Sequence, residues 1–171
     1  MTLPKKLSIA FLVIFVCFAS DIYSKRVVFA ALDQKAIEQN VFNPAIEVTG
    51  FFNLVKVYNT GVSFGLFSDY ENSRVIFSVI NIMIVLALFT WMLFIKKTSM
   101  IIAISLVIGG ALGNLYERIF DGAVSDFLDF HVLGYHWPSF NLADSYVFIG
   151  VFMVLLEDFI FNKSNKENEQ N

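Results

Sequence analysis

Three aspartates in the second half of the chain have the residue type and the surroundings for acid–base chemistry. Asp126 and Asp129 lie in a polar stretch, and Asp144 lies at the start of the next long apolar run. When two carboxylates share a site, their mutual repulsion raises one pKa, so one group keeps a proton while the other stays ionised. The ionised group can take a proton from water while the protonated group polarises a carbonyl oxygen. These residue types therefore predict hydrolysis by a pair of aspartates.

Asp144 is the firmest member of the predicted pair. It follows Ser139, which we interpret as the cap of the next helix, and a helix N-terminus stabilises an ionised carboxylate. Its partner is either Asp126 or Asp129, and their spacing of three residues favours neither. A carboxylate at the end of a hydrocarbon-spanning run is costly to keep there, which makes it a candidate functional residue.

Other polar residues near the two aspartates have simpler interpretations. We interpret Asp129 as a solvated interfacial acid if it is not the partner of Asp144. His131 and His136 match no closed metal site in their spacing, and histidine beside Tyr135 and Trp137 is typical of a membrane interface. The sequence therefore predicts no metal ion and no cofactor.

The composition indicates the environment of this chemistry. Hydrophobic residues make up 57% of the 171 residues, against about 45–50% in soluble domains, and there are 20 Phe. The net charge of −3 leaves no basic stripe to neutralise phosphates, which excludes a nucleic-acid partner. We predict a single integral membrane domain.

Four apolar runs are the elements that must position the aspartates. Each is close to the roughly 20 residues that span a bilayer, and they cover residues 7–32, 75–95, 98–117 and 139–161. Residues 45–68 are rich in β-branched and aromatic side chains, which predicts a small β-rich loop between the first two helices. The polar tail 162–171 is expected to be disordered. The predicted fold class is an all-α membrane protein with four transmembrane helices and this extracytoplasmic loop.

The distribution of lysines predicts the orientation. The positive-inside bias acts most strongly in short flanks, and one membrane face collects a concentrated set of lysines in such flanks. Both termini are therefore expected in the cytoplasm. That set consists of Lys5, Lys6, Lys96, Lys97, Lys163 and Lys166.

Five ordered motifs resemble those of the lipoprotein signal peptidases, also called signal peptidase II, and the resemblance covers almost the whole chain. The motifs are Asp21-x-x-x-Lys25, Asn59-x-Gly61, Gly109-Gly110-x-x-Gly113-Asn114-x-x-x-Arg118, Val124-x-Asp126-Phe127-x-Asp129-Phe130 and Trp137-Pro138-x-Phe140-Asn141-x-Ala143-Asp144.

The resemblance implies roles for particular residues. It implies that Asp126 and Asp144 are the catalytic pair. It implies a substrate cleft lined by Asn59, Gly61, Asn114, Arg118 and Asn141, with Asp21, Lys25, Glu117 and Ala143 in support. Two positions depart from the family pattern: Glu117 replaces the usual aspartate before the arginine, and Val62-Ser63 replaces the usual alanines after Gly61.

The resemblance also implies the reaction and its setting. Such enzymes are intramembrane aspartic peptidases of the bacterial plasma (inner) membrane that cut prolipoproteins just before a diacylglyceryl-modified cysteine. The implied partners are this substrate and membrane lipid, with the chain acting as a monomer and the active site near the extracytoplasmic face. A small four-helix proton-coupled transporter is the alternative, since intramembrane carboxylates also serve as proton relays.

Overall fold

Helix α3 forms the centre of a helical bundle. In this computed structural model, backbone structure is described for residues 2–60 and 73–169, and side chains for residues 2–60 and 74–160. The elements are α1 (Leu3–Gln39), β1 (Ile46–Thr49), β2 (Phe52–Asn59), α2 (Ser73–Phe94), α3 (Thr98–Phe120), β3 (Val124–Val132), β4 (Tyr135–His136) and α4 (Leu142–Glu169). In α3, 67% of the most apolar window is buried, against 17% in α1 and 11% in α2, so α3 is the helix that the others surround.

Three of these helices, α1, α2 and α3, are long and apolar enough to cross a membrane. The predicted apolar helices are present, but their bounds differ from the prediction everywhere except at the start of α3, most of all in α1 and α4. Helix α1 continues to Gln39 because nothing between residues 32 and 39 stops it, and Asn40 ends it with a left-handed φ of 50°. Helix α4 begins at Leu142 rather than at residue 139.

The β-rich loop predicted between the first two helices supplies only half of the sheet. Strands β1 and β2 come from this loop, and β3 and β4 come from the α3–α4 connection, where the sequence analysis predicted no strand. All neighbours are antiparallel in the order β1-β2-β3-β4. The prediction of a purely α-helical chain outside residues 45–68 was therefore wrong.

The sheet packs on the far end of α1 through a small apolar cluster. Phe29 and Leu32 of α1 meet Phe127 of β3, and Leu54 and Leu142 pack against them. This contact holds β3 beside the start of α4. It places the two segments that carry Asp126 and Asp144 next to each other.

Gly110 lets α3 and α4 touch at the level of the candidate site. A Cβ atom on Gly110 would overlap the carbonyl oxygen of Ala143, which is a backbone atom with no room to yield. Gly110→Ala is therefore expected to push the start of α4 away from α3 and to destabilise the protein by about 2 kcal/mol or more. Thermal unfolding in detergent measures this loss.

Gly50→Ala is the matched control, since a Cβ there has nothing within 4 Å. If both variants melt at the temperature of the wild type, the close approach of α3 and α4 is not needed for stability.

Candidate active site

Asp126 and Asp144 are brought together by a single residue, Asn141. Its Nδ2 donates a hydrogen bond to Oδ1 of Asp126 at 2.7 Å. Its Oδ1 accepts a hydrogen bond from the backbone N–H of Asp144 at 3.0 Å. In return, the backbone N–H of Asn141 donates to Oδ2 of Asp144 at 3.2 Å. One residue therefore contacts both carboxylates, through its side-chain amide on Asp126 and through its backbone N–H on Asp144.

The pairing between Asn141 and Asp144 is a capping box. The residue before the helix and the residue three positions later satisfy each other's backbone N–H groups, which are otherwise without partners at a helix start. The cap of α4 is therefore Asn141, and the assignment of this role to Ser139 was wrong. The same box locks the side chain of Asp144 at the positive end of the helix dipole.

Asp126 lies at the other side of this amide and is buried, with 3% of its surface exposed. Its Oδ2 accepts a hydrogen bond from Nδ2 of Asn59 at 3.0 Å. Burial and the nearby charge of Asp144 raise the pKa of Asp126 to about 6, although the hydrogen bonds from Asn59 and Asn141 favour its ionised form. A carboxyl group with this raised pKa can donate a proton closer to neutral pH than an ordinary aspartate can.

Asp129 lies on the other face of the strand. Side chains alternate along a β-strand, so residues 126 and 129, three apart in β3, point to opposite sides. Asp129 is buried and accepts a hydrogen bond from Nδ2 of Asn53 at 3.1 Å, and its Oδ1 lies 2.8 Å from Nδ1 of His136. The interpretation of Asp129 as a solvated acid was wrong. Its partner Asn53 was not predicted from the sequence, because an amide side chain within a predicted strand did not indicate a contact with Asp129.

Asn114 connects Asp144 to the interior of the bundle. Its Nδ2 donates to Oδ1 of Asp144 at 2.8 Å. Its Oδ1 accepts from Nζ of Lys25 at 3.0 Å and from Nδ2 of Asn141 at 3.1 Å. Because two donors fix the oxygen side of this amide, its NH₂ group must face Asp144.

A buried charge cluster holds Asn114 from behind. Lys25 pairs with Asp21 at 2.7 Å, as their i,i+4 spacing predicts, and with Glu117 at 2.8 Å. All three side chains are buried. The cluster also ties down the backbone of the site. Oδ1 of Asp21 accepts from the N–H of Ala143 at 2.9 Å, and Oε2 of Glu117 accepts from the N–H of Ser125 at 3.0 Å.

The remaining predicted site residues are Arg118, Ala143 and Gly61. Arg118 of α3 lies close enough to Asp126 and Asp144 for the charges of both to act on it, with glutamate at position 117. Ala143 is fully buried at the α3–α4 contact. Gly61 lies outside the described residues, as do Val62 and Ser63. Among the residues for which structure is described, no three His, Cys, Asp or Glu side chains gather where they could hold a metal ion.

The bundle and its sheet define a membrane enzyme. Two solved structures, both described as bacterial membrane enzymes, share this fold. One superposes with a TM-score of 0.73 at 29% identity and covers 96% of this chain and 92% of its own. The second has a TM-score of 0.71 at 28% identity and covers 91% and 92%.

The chain belongs to the signal peptidase II family. The family model described as "Signal peptidase (SPase) II" matches residues 13–160. A lipoprotein signal peptidase of Francisella tularensis subsp. novicida is 37% identical over 157 residues, which is 90% of this chain and 92% of the relative. Another, of Aeromonas hydrophila, is 46% identical over 122 residues, or 68% and 71%. The protein is therefore a membrane peptidase, and the transporter alternative is not favoured.

Proposed function

We propose that this protein removes signal peptides from bacterial prolipoproteins by hydrolysing the peptide bond just before a diacylglyceryl-modified cysteine, with Asp126 and Asp144 activating the water. The observation that carries the proposal is the bridge through Asn141, whose side-chain amide donates to the carboxylate of Asp126 and whose backbone N–H donates to the carboxylate of Asp144. The names of the relatives support the substrate class. The test is cleavage of a lipidated precursor by the wild type, Asp126→Asn and Asp144→Asn.

The geometry supports a division of labour between the two aspartates. Asp126 is the proton donor, because burial and the neighbouring carboxylate raise its pKa to about 6 and so keep a protonated fraction available. Asp144 accepts hydrogen bonds from Nδ2 of Asn114 and from the backbone N–H of Asn141, which orient its carboxylate. The water oxygen attacks the scissile carbonyl carbon and passes a proton to Asp144, while Asp126 donates its proton to the carbonyl oxygen. The C–N bond then breaks as the leaving amine takes up the proton from Asp144, and one hydroxyl of the intermediate returns its proton to Asp126 as the carbonyl re-forms.

We propose that the enzyme lies in the bacterial inner membrane. It crosses this membrane four times, with both termini in the cytoplasm. Nζ of Lys6 donates to the carbonyl of Leu93 at 2.8 Å, so the start of α1 and the end of α2 share one face. Asp126 and Asp144 lie at the opposite ends of the helices, beside the sheet. The protein would act as a monomer, with the sheet on the extracytoplasmic side and residues 45–68 closing the site against bulk water.

The raised pKa of Asp126 predicts a pH dependence. Because Asp126 must be protonated to donate, kcat/KM should fall as the pH rises through about 6. The part of the pH profile in which kcat/KM falls is its alkaline limb. Asn59 hydrogen-bonds the ionised carboxylate and so favours it. Asn59→Ala should therefore shift this alkaline limb to higher pH by about one unit. Initial rates at low concentrations of a lipidated precursor, measured across pH, give the limb.

Asn53→Ala is the matched control, since Asn53 lies on the same strand but bonds Asp129. Its limb should coincide with that of the wild type. A limb in Asn59→Ala that stays in place or moves to lower pH contradicts the assignment of the proton to Asp126.

A further inference from the structure

The face of the bundle between α1 and α3 carries an apolar groove. Its cavity, of about 360 Å³, is walled by aromatic and aliphatic side chains of both helices. Phe11 and Phe15 stack with ring centroids 6.3 Å apart, and Phe18 meets the ring of Tyr116 edge-on at 5.8 Å. We call this surface the α1–α3 groove, and its lining includes Phe11, Phe15, Phe18, Leu115, Tyr116 and Phe120.

A second cavity of about 470 Å³ continues the α1–α3 groove toward the sheet, and the two share Tyr116 as a wall. Its character is polar. Its charged and polar lining is Lys25, Arg26, Glu117, Asp121 and Ser125, and the rest of its wall is Ile22, Phe29, Tyr58 and Tyr116; we call it the polar pocket.

The charges of the polar pocket fall into two groups. Lys25 and Glu117 satisfy each other at 2.8 Å. Arg26 and Asp121 are both exposed to the pocket, and within residues 2–60 and 74–160 neither forms an ion pair. The pocket therefore offers one cation and one anion to a ligand that carries both signs of charge.

The two cavities together have the length of one membrane leaflet. Phe11 and Arg26 are 15 positions apart on α1, which corresponds to about 22 Å along the helix. Half of a bilayer is about 15 Å of hydrocarbon followed by roughly 5–7 Å of headgroup. The apolar part thus matches an acyl chain and the polar part matches a headgroup.

We propose that this face is a specific site for a phospholipid with a zwitterionic headgroup that ends in a primary ammonium. Arg26 takes the phosphate, Asp121 takes the ammonium, and one acyl chain lies in the α1–α3 groove. Arginine suits phosphate because its planar fork donates two parallel hydrogen bonds. The ammonium is a hydrogen-bond donor that a carboxylate accepts.

This site is separate from the cleft that holds the aspartate pair. Ser125 lines the polar pocket, and it precedes Asp126 in β3, so the two side chains point to opposite faces of the strand. The pocket and the pair are nevertheless linked. Lys25 forms a wall of the pocket and donates to Asn114, which in turn donates to Asp144. A lipid bound in the polar pocket would therefore contact Lys25, which holds Asn114 beside Asp144.

Native mass spectrometry of the full-length protein tests the proposal. The protein is released from detergent in the presence of equal amounts of phosphatidylethanolamine, phosphatidylcholine and diacylglycerol with identical chains. We expect one retained phosphatidylethanolamine, with retention of phosphatidylcholine about tenfold weaker because a quaternary ammonium has no N–H to donate to Asp121. Diacylglycerol, which has no phosphate, should be lost.

Variants distinguish the two halves of the headgroup site. Arg26→Gln should lower the retention of both phospholipids, whereas Asp121→Asn should lower only that of phosphatidylethanolamine, to the level of phosphatidylcholine. Phe15→Ala should weaken both through the chain. The matched controls are Lys35→Gln, further along α1 outside both cavities, and Phe148→Ala, on the exposed face of α4. Neither control should change retention.

Two results would overturn the proposal. Equal losses in Phe15→Ala and Phe148→Ala, with no effect of Arg26→Gln, would show only an unspecific lipid annulus. Retention of diacylglycerol as strong as that of phosphatidylethanolamine would show that the cavity takes the lipid part of a lipidated substrate instead. Because the measurement needs no turnover, either result leaves the proposed peptidase activity untouched.

Discussion

Replacing either Asp126 or Asp144 by asparagine is expected to lower the turnover of a diacylglyceryl-modified prolipoprotein by about a thousandfold or more. Asparagine has nearly the same shape as aspartate, but it neither accepts a proton from water nor donates one to a carbonyl oxygen. Proton transfer by a positioned side chain contributes about 10²–10⁴-fold. Each aspartate works only with the other, so the double variant should be little worse than either single one.

Asp129→Asn is the matched control for these variants. Asp129 lies in β3, as Asp126 does, but its side chain points to the opposite face of the strand, where it contacts Asn53 and His136. It should retain most of the activity of the wild type, and an unlipidated precursor should not be cut by any of the proteins. If Asp129→Asn is the inactive variant, the assignment of Asp126 is wrong and the membrane peptidase fold still stands.

Lys25→Met is expected to cause the largest loss of stability, about 3–5 kcal/mol. Lys25 is 2% exposed and lies between Asp21 and Glu117, so its removal leaves two buried carboxylates facing each other without a cation. The same change removes one of the two donors to Oδ1 of Asn114, so only Asn141 still holds the NH₂ group of this amide toward Asp144. We therefore expect both a lower melting temperature in detergent and a lower kcat in the fraction that stays folded.

Lys5→Met is the control for this loss, since the exposed Lys5, on the same helix, forms no ion pair with any side chain of residues 2–60 and 74–160. A triple variant separates charge from packing. Lys25→Met combined with Asp21→Asn and Glu117→Gln removes the uncompensated charges and should recover part of the lost stability, since replacing a buried ion pair as a whole is often neutral. If the triple variant is no more stable than Lys25→Met, buried charge is not the cause of the loss.

The sequence by itself determined the features that depend on local spacing. Apolar runs of about 20 residues specified the helices, because a membrane demands that length. The spacing of Asp21 and Lys25 predicted their ion pair, because residues four apart share a helix face. The motif order indicated the family, which the comparison with known proteins confirmed. The same motifs named Asp126 and Asp144 as the catalytic pair, which stays a prediction.

Only the tertiary structure decided what depends on contacts between distant segments. Spacing left Asp126 and Asp129 equal, because the rule that separates them holds for a strand, and β3 exists only through its pairing with β2. The polar stretch had no strong strand signal of its own. Likewise, Asn141 displaced Ser139 as the cap of α4 because its amide reaches both Asp126 and Asp144 once β3 lies beside the helix. A cap is local, but the choice of this one depends on a partner 15 residues away in the chain.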